Sequence, residues 1–570
     1  MNKIAKFRGS LSSLAALVGL AVAGCAGGMD TPATTSSLGS YSSGDAGGGY
    51  DSAGSGATDM GADAGTSKGG GTTQTPGTGA NSDTGIGLKP GGAQDIAFFR
   101  QKLAAALLPK PGDMTIEGWL NEHDTVLPAA QKDRVVTLHA LAGVMAEPGG
   151  QPEAVLQIGL NSGKSLADVQ TTLSLTVVID RSGSMAGDKL AFVKAGLHAL
   201  AEQLPKGTRL GLISFSSDVK VSFAPQVIDA SNIQDLHAAI DTLVADGGTN
   251  IFQALDQAKS ACQATPTGFE QKRILFLSDG LPTVGTTGPA SIWGQVTDAV
   301  ALGCSVSSVG VGLDFSPSLM NGIAQKGNGT AWFLPDATAA KEVFIQDLET
   351  MLMPVAEKLT LQFKLASGWK VAEIYGFDWV EKDGVVSITG PKAVEGQTTD
   401  PGEIGVPPDP TAVTEPVAMP TLFASKRNGL VMARLTAPAN AQPSDLVQLT
   451  LATVTYGYTL SKGGAAESYD VPVKVPGLLQ IPDAGMAYFT DPAVHRAWLL
   501  LGDGLSLMQA VALADGGKKS EAVAVLAVQK QLHDKHMQLM AGDLLVYDAS
   551  VPNLDDAADL LDSLSKLISK

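Results

Sequence analysis

The chain has 570 residues, too many for one core, so about two to four folded units are expected. Hydrophobic residues make up 44% of it, which is ordinary for globular protein, but its 66 glycines are spread unevenly. Lys plus Arg number 39 against 57 Asp plus Glu, and the formal net charge of −18 repels phosphate backbones and anionic lipid, which argues against nucleic acid as a partner.

The first residues read as an export signal. Lys3, Lys6 and Arg8 precede the apolar run "LSSLAALVGLAVAG", which at about 14 residues is short of the roughly 20 that span a bilayer as a helix. The run ends in "VAGC", which resembles the lipobox of bacterial lipoproteins. That resemblance implies a signal peptide over 1–24 and a lipidated (palmitate-bearing) Cys25 as the mature N-terminus. Ala26 follows, not the aspartate that retains some lipoproteins at an inner membrane, so the outer membrane is favoured. No later segment reads as long and uncharged enough to span. Residues 25–92 are Gly, Ser, Thr, Ala and Asp with few large apolar side chains. Such a segment buries too little surface to offset its chain entropy and is expected to be a disordered tether.

Folded sequence is expected from about Ala93, over a first unit of 93–170. "AQDIAFFRQKLAAALL" and "MTIEGWLNEHD" read as helices, and "RVVTLHALAGVM" and "AVLQIGLNSG" alternate as strands do. From 171 to 352 unbroken apolar strands ("LSLTVVI", "RLGLISF", "RILFLS", "CSVSSVGVG", "TAWFL") alternate with amphipathic helices. That texture predicts a doubly wound, mostly parallel α/β sheet covered on both faces, with ligands beyond the carboxyl ends of its strands. Ser231 and Gln234 are spaced as a capping box for one of these helices. A further helix is expected from about Ala337. Cys262 falls on a helical apolar stripe and reads as a small core residue; a disulfide to Cys304 is open to an exported protein, yet two unpaired thiols are expected.

Residues 353–485 read as all β, with Asp383-Gly384 and Asn428-Gly429 as hairpin signals and the acidic, proline-rich "EGQTTDPGEIGVPPDPTAVTEP" as a loop. Residues 488–570 read as helical, with a helical hairpin about Gly516-Gly517 and a last helix carrying Leu560, Leu561, Leu564, Leu567 and Ile568. Its expected role is a packing cap. "HDKH", His533 to His536, has charged neighbours and reads as a solvated helix face, not a metal site.

The stretch "VVIDRSGSMAG" presents Asp180, Ser182 and Ser184 at alternate positions. By itself it is compatible with a cation, a nucleophile or a polar turn. "DGGTNI" adds Thr249 before a helix and "LFLSDG" adds Asp279 at a strand end, both on the same expected rim. These five residues, in that order and on those elements, resemble the metal-ion-dependent adhesion site of the von Willebrand factor type A domain, over about 171–350. The resemblance implies direct ligation by the Ser182 and Ser184 hydroxyls. It implies direct or water-mediated ligation by Asp180, Thr249 and Asp279, and an open position filled by a partner's Asp or Glu. The oxygen set suits Mg2+, or another divalent cation such as Mn2+ or Ca2+.

A looser resemblance, to bacterial lipoproteins carrying this domain, rests on "DIAFFRQKLAAALLPKPGDMTIEGWLNEHD" and "DPGEIG". It implies that the strands of 134–160 and 355–475 form one sandwich into which the α/β unit is inserted. Separately, the acidic loop near Glu403, within 395–415, is a candidate to fill the open coordination position itself and gate access to it. A serine nucleophile is disfavoured. Neither serine lies in a Gly-x-Ser-x-Gly elbow, and His198 shares a helix face with Lys194 and Glu202 that reads as solvent. There is no His-Glu-x-x-His, no P-loop and no dinucleotide-binding glycine motif. The expected function is therefore non-enzymatic: a lipid-anchored envelope protein binding a protein partner, with no nucleic acid or nucleotide. The alternative is an envelope scaffold whose metal only stabilises the domain.

Overall fold

The computed structural model describes residues 86–570 apart from 91–95, 124–126, 146–152, 166–167, 169–170, 314, 335–353, 393–416, 426–427, 442–448, 462–464, 476–491 and 541–553. The export signal, Cys25, most of the tether, the helix expected from Ala337 and the acidic loop with Glu403 lie outside the described residues.

Residues expected to alternate strand and helix do so around one six-stranded sheet, in the order β6-β5-β4-β7-β8-β9. Its strands are β4 (Leu173–Asp180), β5 (Arg209–Phe215), β6 (Val219–Val227), β7 (Gln271–Ser278), β8 (Cys304–Val311) and β9 (Asn328–Leu334). All neighbours are parallel except the edge hairpin β5–β6. The central strand β4 has no exposed residue, because Val177 and Ile179 face one apolar cluster and Val178 faces the other. The first cluster is closed by α3 (Asp188–Gln203) and α4 (Ile233–Asp241), the second by α5 (Ile251–Gln263), α6 (Pro289–Ala301) and α7 (Pro317–Lys326).

A second, eleven-stranded sheet folds over on itself. One end holds β2 (Thr137–Met145), β3 (Glu153–Ser162), β15 (Gly429–Thr436) and β11 (Lys370–Ile374). The other holds β10 (Pro354–Leu365), β16 (Thr450–Leu460), β17 (Glu467–Lys474), β13 (Val385–Pro391) and β12 (Phe377–Lys382). β1 (Ile86–Pro90) and β14 (Met419–Ser425) join the two ends. Side chains from both ends share one core, including Leu156 and Ile158 of β3 with Leu361 and Phe363 of β10. The α/β unit is thus inserted between β3 and β10, strands of a sheet that precedes and follows it in the chain.

The outer face of β3 and β15 (Val155, Leu430, Met432) is covered by α1 (Ala97–Ala104), α2 (Ile116–Glu122), α8 (Pro492–Asp515), α9 (Lys519–Met540) and α10 (Leu554–Ser569). Gly504 lets α8 meet α2 closely; a Cβ there would lie 2.5 Å from Trp119 Cδ1, and the Trp119 indole donates to the Leu500 carbonyl at 2.7 Å. Phe98 of α1 reaches the other way, edge-on to Phe315 and Phe333 of the α/β unit at 4.6 and 5.0 Å.

Several expectations are corrected. Residues 86–90 are not tether: they form β1, which glycine-rich flanks conceal from a composition reading. Asn428-Gly429 makes no hairpin, because both edges of β14 are taken by β1 and β10; Gly429 instead admits the β1 backbone, where a Cβ would lie 2.2 Å from the Leu88 carbonyl oxygen. Asp383-Gly384 does turn β12 into β13, with φ of 53° and 75°. The Ser231–Gln234 capping box is not formed, since the Asp229 carboxylate, a charged acceptor two residues away, takes the Ser231 hydroxyl at 2.5 Å.

His198 is not on open solvent: it meets His237 at 2.6 Å and Asp241 at 3.0 Å across α3 and α4. His533 and His536 are buried, with His533 on Asp503 at 2.8 Å and His536 on His495 at 2.6 Å; only Asp534 and Lys535 between them face outward. The segment Ala493–Asp515 is long and apolar enough to cross a membrane, against the expectation of no such segment, and its most apolar window is 72% buried within the helical layer.

Cys262 and Cys304 form a disulfide, contrary to the expected free thiols, with Cα atoms 6.3 Å apart. Helix α5 runs back antiparallel to β7 and so ends where β8 begins, which sequence separation alone does not reveal. The Cys262→Ser, Cys304→Ser double variant is expected to lose about 2–4 kcal/mol, measured as a lower urea midpoint, and alkylation of denatured, unreduced protein should leave both positions unmodified.

Glu117 supplies a pH signature. Burial raises its carboxyl from 4.5 to about 7, against hydrogen bonds from its own backbone and Thr115. An acid whose folded pKa exceeds its unfolded value costs nothing below the unfolded value, and its cost is complete above the folded one. Between about pH 4.5 and 7 ionisation therefore removes about 3 kcal/mol. Glu117→Gln should accordingly be more stable than wild type at about pH 8 by up to that amount, and equal to it below about pH 4.5, in paired urea melts.

Candidate metal site at the rim of the parallel sheet

At the carboxyl end of β4 the chain leaves a dry sheet, and its polar groups need partners at once. Asp180, 0% exposed, meets that need by folding the chain back: its Oδ1 accepts the Ser182 N–H at 2.7 Å. The turn continues as a short 3-10 segment, Gly183–Met185, pinned by the buried Met185. Asp180 Oδ2 accepts the Ser278 hydroxyl from the end of β7 at 2.6 Å. The next residue is Asp279, whose Oδ1 accepts the Ser184 hydroxyl at 2.8 Å, while the hydroxyls of Ser182 and Ser184 lie 3.0 Å apart. Lys189, in the first turn of α3, donates to Asp279 Oδ2 at 2.6 Å.

Thr249 comes from the loop before α5 and is buried. That loop is fastened to the serines by Gly183 N–H donating to the Gly247 carbonyl at 3.0 Å, and by Asp246 N–H donating to the Arg181 carbonyl at 2.7 Å. The Thr249 N–H donates to the Thr283 hydroxyl at 2.9 Å, and the Thr249 carbonyl accepts from Thr283 and Val284. Gly247 has φ of 65° and a Cβ there would lie 2.9 Å from the Ser217 hydroxyl, so the loop requires glycine at this point. Asp180, Ser182, Ser184 and Asp279 are thus joined directly, and Thr249 is held on the loop bonded to them.

Two contributors went unread in the sequence. Ser278 had no signal beyond its place before Asp279. Arg181 carried no signal of its own, yet its buried guanidinium binds Asp218 and Asp246 on two other loops. Ser216 donates to the same two carboxylates at 3.1 and 2.8 Å.

The donors fit a hard divalent cation: two carboxylates and three hydroxyls, all oxygen. Among the described residues no cluster of three His, Cys, Asp or Glu side chains could hold a metal, so a cation site here depends on the hydroxyls. Burial pushes the Asp180 carboxyl up to about 6, more than hydrogen bonds from Ser278 and Ser182 bring it down. A buried carboxylate whose charge is under-compensated is one that a neighbouring cation stabilises. Ser184 and Gly183 are exposed, so the site opens to solvent.

The family model described as von Willebrand factor type A domain matches residues 175–281. Uncharacterized protein YfbK of Escherichia coli (strain K12) is 27% identical over 286 residues, 48% of this chain and 48% of its own. Inter-alpha-trypsin inhibitor heavy chain H4 of Homo sapiens is 31% identical over 168 residues, 28% of this chain and 18% of its own. The chain therefore spans about half the length of the first relative and less than a fifth of the second. Among solved structures, von Willebrand factor type A from Catenulispora acidiphila is similar with a TM-score of 0.45 and 14% identity, covering 78% of this chain and 97% of that one.

The Arg181 clasp leads to a measurable expectation. Arg181→Met strips two carboxylates of a charged donor, so the domain should lose about 1–3 kcal/mol, and the stabilisation given by added Mg2+ should shrink, both read from thermal melts with and without the ion.

Proposed function

We propose that this chain, whose α/β unit is a von Willebrand factor type A domain, is a lipid-anchored cell-envelope protein that binds a protein partner through a divalent cation on the rim of that domain. One observation carries the reading: Asp180, Ser182, Ser184 and Asp279, from two strand ends, form a continuous chain of hydrogen bonds open to solvent at Ser184, with Thr249 on the loop bonded to it. Ser182, Ser184 and Thr249 would offer hydroxyl oxygens to the cation. Asp180 and Asp279, each already engaged at both oxygens, would supply the negative charge that holds it. When bound, Mg2+, Mn2+ or Ca2+ supplies a Lewis-acidic position for a carboxylate from the partner.

The envelope assignment rests on the export signal and on Cys25 in its lipobox-like setting. The Cys262–Cys304 disulfide supports it, since such bonds persist in oxidising compartments and are rare in reducing ones.

Crosslinking in intact cells, followed by mass spectrometry, tests this reading. The wild type should capture an envelope protein in Mg2+ and lose it in chelator, and Thr249→Val or Ser184→Ala should reduce capture about tenfold or more. Capture unchanged by chelator would overturn the adhesion reading; joined to a large Mg2+-dependent rise in melting temperature, it would make the domain a metal-stabilised scaffold.

A further inference from the structure

Two helices on one face of the parallel sheet carry the same pair of residue types. α3 holds His198 and, one turn on, Glu202; α4 holds His237 and, one turn on, Asp241. A spacing of four puts each histidine and its acid on one side of its helix, and each acid serves the histidine of the other helix. Asp241 Oδ1 lies 3.0 Å from His198 Nε2, and Glu202 Oε1 lies 2.8 Å from His237 Nε2. Leu197 and Leu200 of α3 and Leu236 and Ile240 of α4 are buried in the apolar cluster between these helices and the sheet, so the four side chains stand on packed supports. The imidazoles are partly buried, while the carboxylates are 69% and 61% exposed and keep the group open to water.

These contacts fix the protons. An ionised carboxylate only accepts, so each Nε2 carries a hydrogen, and a neutral ring is left with a bare Nδ1. The two Nδ1 atoms lie 2.6 Å apart, with ring centroids 4.8 Å apart and planes 26° from parallel. The centroid distance is close to the nitrogen–nitrogen distance extended by one ring radius at each end. The rings therefore meet edge to edge, with the two nitrogens head-on. Two lone pairs aimed at one point repel unless a cation lies between them, either a shared proton or a metal ion.

We propose that this point is a second metal site, for a late first-row divalent cation such as Zn2+, ligated by His198 Nδ1 and His237 Nδ1. It is separate from the oxygen site on the rim and does not depend on it. Imidazole nitrogen suits Zn2+, whereas hydroxyls and carboxylates suit harder ions. Asp241 and Glu202 stand where a metal-bound histidine places a carboxylate, on the N–H of its other nitrogen; there they hold the ring and raise the basicity of the ligating atom. Two Zn–N bonds of about 2.0–2.1 Å at a tetrahedral angle set the nitrogens about 3.4 Å apart. The rings therefore part by less than about 1 Å as the metal takes the place of the shared proton, which leaves to solvent. Among the described residues no group of three His, Cys, Asp or Glu side chains could hold a metal, so water completes the coordination. The bound ion ties α3 to α4.

The test is a calorimetric titration of Zn2+ into the full chain held in excess Mg2+, as wild type, His198→Gln, His237→Gln and the Glu202→Gln, Asp241→Asn double variant. Wild type should show a Zn2+ binding event that both histidine variants lack. The double acid variant should bind about ten- to a hundredfold more weakly. With nitrogen-15 in the histidines alone, Zn2+ should move the Nδ1 resonances of two rings whose Nε2 stays protonated. A Zn2+ event that persists in both histidine variants and is lost in Ser184→Ala belongs to the rim and overturns the proposal. A wild type with no Zn2+ event overturns it as well, and leaves a shared proton between the rings. Melts in chelator establish that each variant is folded. Should a histidine variant fail to fold, the acid pair still decides, because unchanged Zn2+ affinity in its absence removes the site.

Discussion

Asp180 ends a strand with no exposed residue, and water does not reach its carboxylate. A charge in that position has to be met by groups that the fold brings to it. The Ser182 N–H meets one oxygen by reversing the chain, which sets the turn carrying both serines. The Ser278 hydroxyl meets the other, which ties β4 to β7 and delivers Asp279 one residue later. Arg181, the residue between Asp180 and Ser182, anchors the loop that carries Thr249. The rim is therefore a consequence of compensating one buried carboxylate, and its openness at Ser184 is what remains once that compensation is complete.

The same economy governs how the α/β unit joins the rest of the chain. Arg273 of β7 is fully buried and stacks on Phe423 of β14 at 4.6 Å. Burial pulls its guanidinium down to about 9, with Glu357 of β10 acting in the opposite sense. Gln271, two residues earlier, donates to the Ser461 carbonyl at 3.3 Å. One strand thus carries the junction between the two sheets near its amino end and leads directly into Asp279 at its carboxyl end. The helical layer is fastened to the folded sheet on its outer face by apolar burial and by specific bonds, such as Leu430 N–H donating to the Asn121 side chain at 3.1 Å.

The parallel sheet and the polar cluster on its rim were legible because their signals are local. Continuous apolar runs such as "LSLTVVI" state their burial outright, and a polar residue closing such a run marks the rim. Asp180, Ser182 and Ser184 lie within five residues, so their convergence needs little tertiary knowledge. What stayed hidden depends on residues far apart in sequence. β1 takes its identity from the edges of β3 and β14, not from its own composition. The burial of His533 and His536 follows from Asp503 and His495 on the preceding helix, which their charged neighbours Asp534 and Lys535 disguise. The Asn428-Gly429 pair and the Ser231–Gln234 spacing are sound local signals overruled by a competing strand and a competing carboxylate. Nothing in the local sequence marks Lys189; only the fold sets its ammonium on Asp279.

The disulfide has a further consequence, of a topological kind. Cys262 and Cys304 bracket β7, Asp279, the exposed segment around Leu281 and all of α6. A single peptide bond cut anywhere between them opens the backbone without dividing the molecule, because the two pieces stay linked through sulfur. Leu281 to Gly288, a mostly exposed stretch after Asp279, lies wholly inside that bracket. A nick there would leave the rim on the same covalent body as both termini.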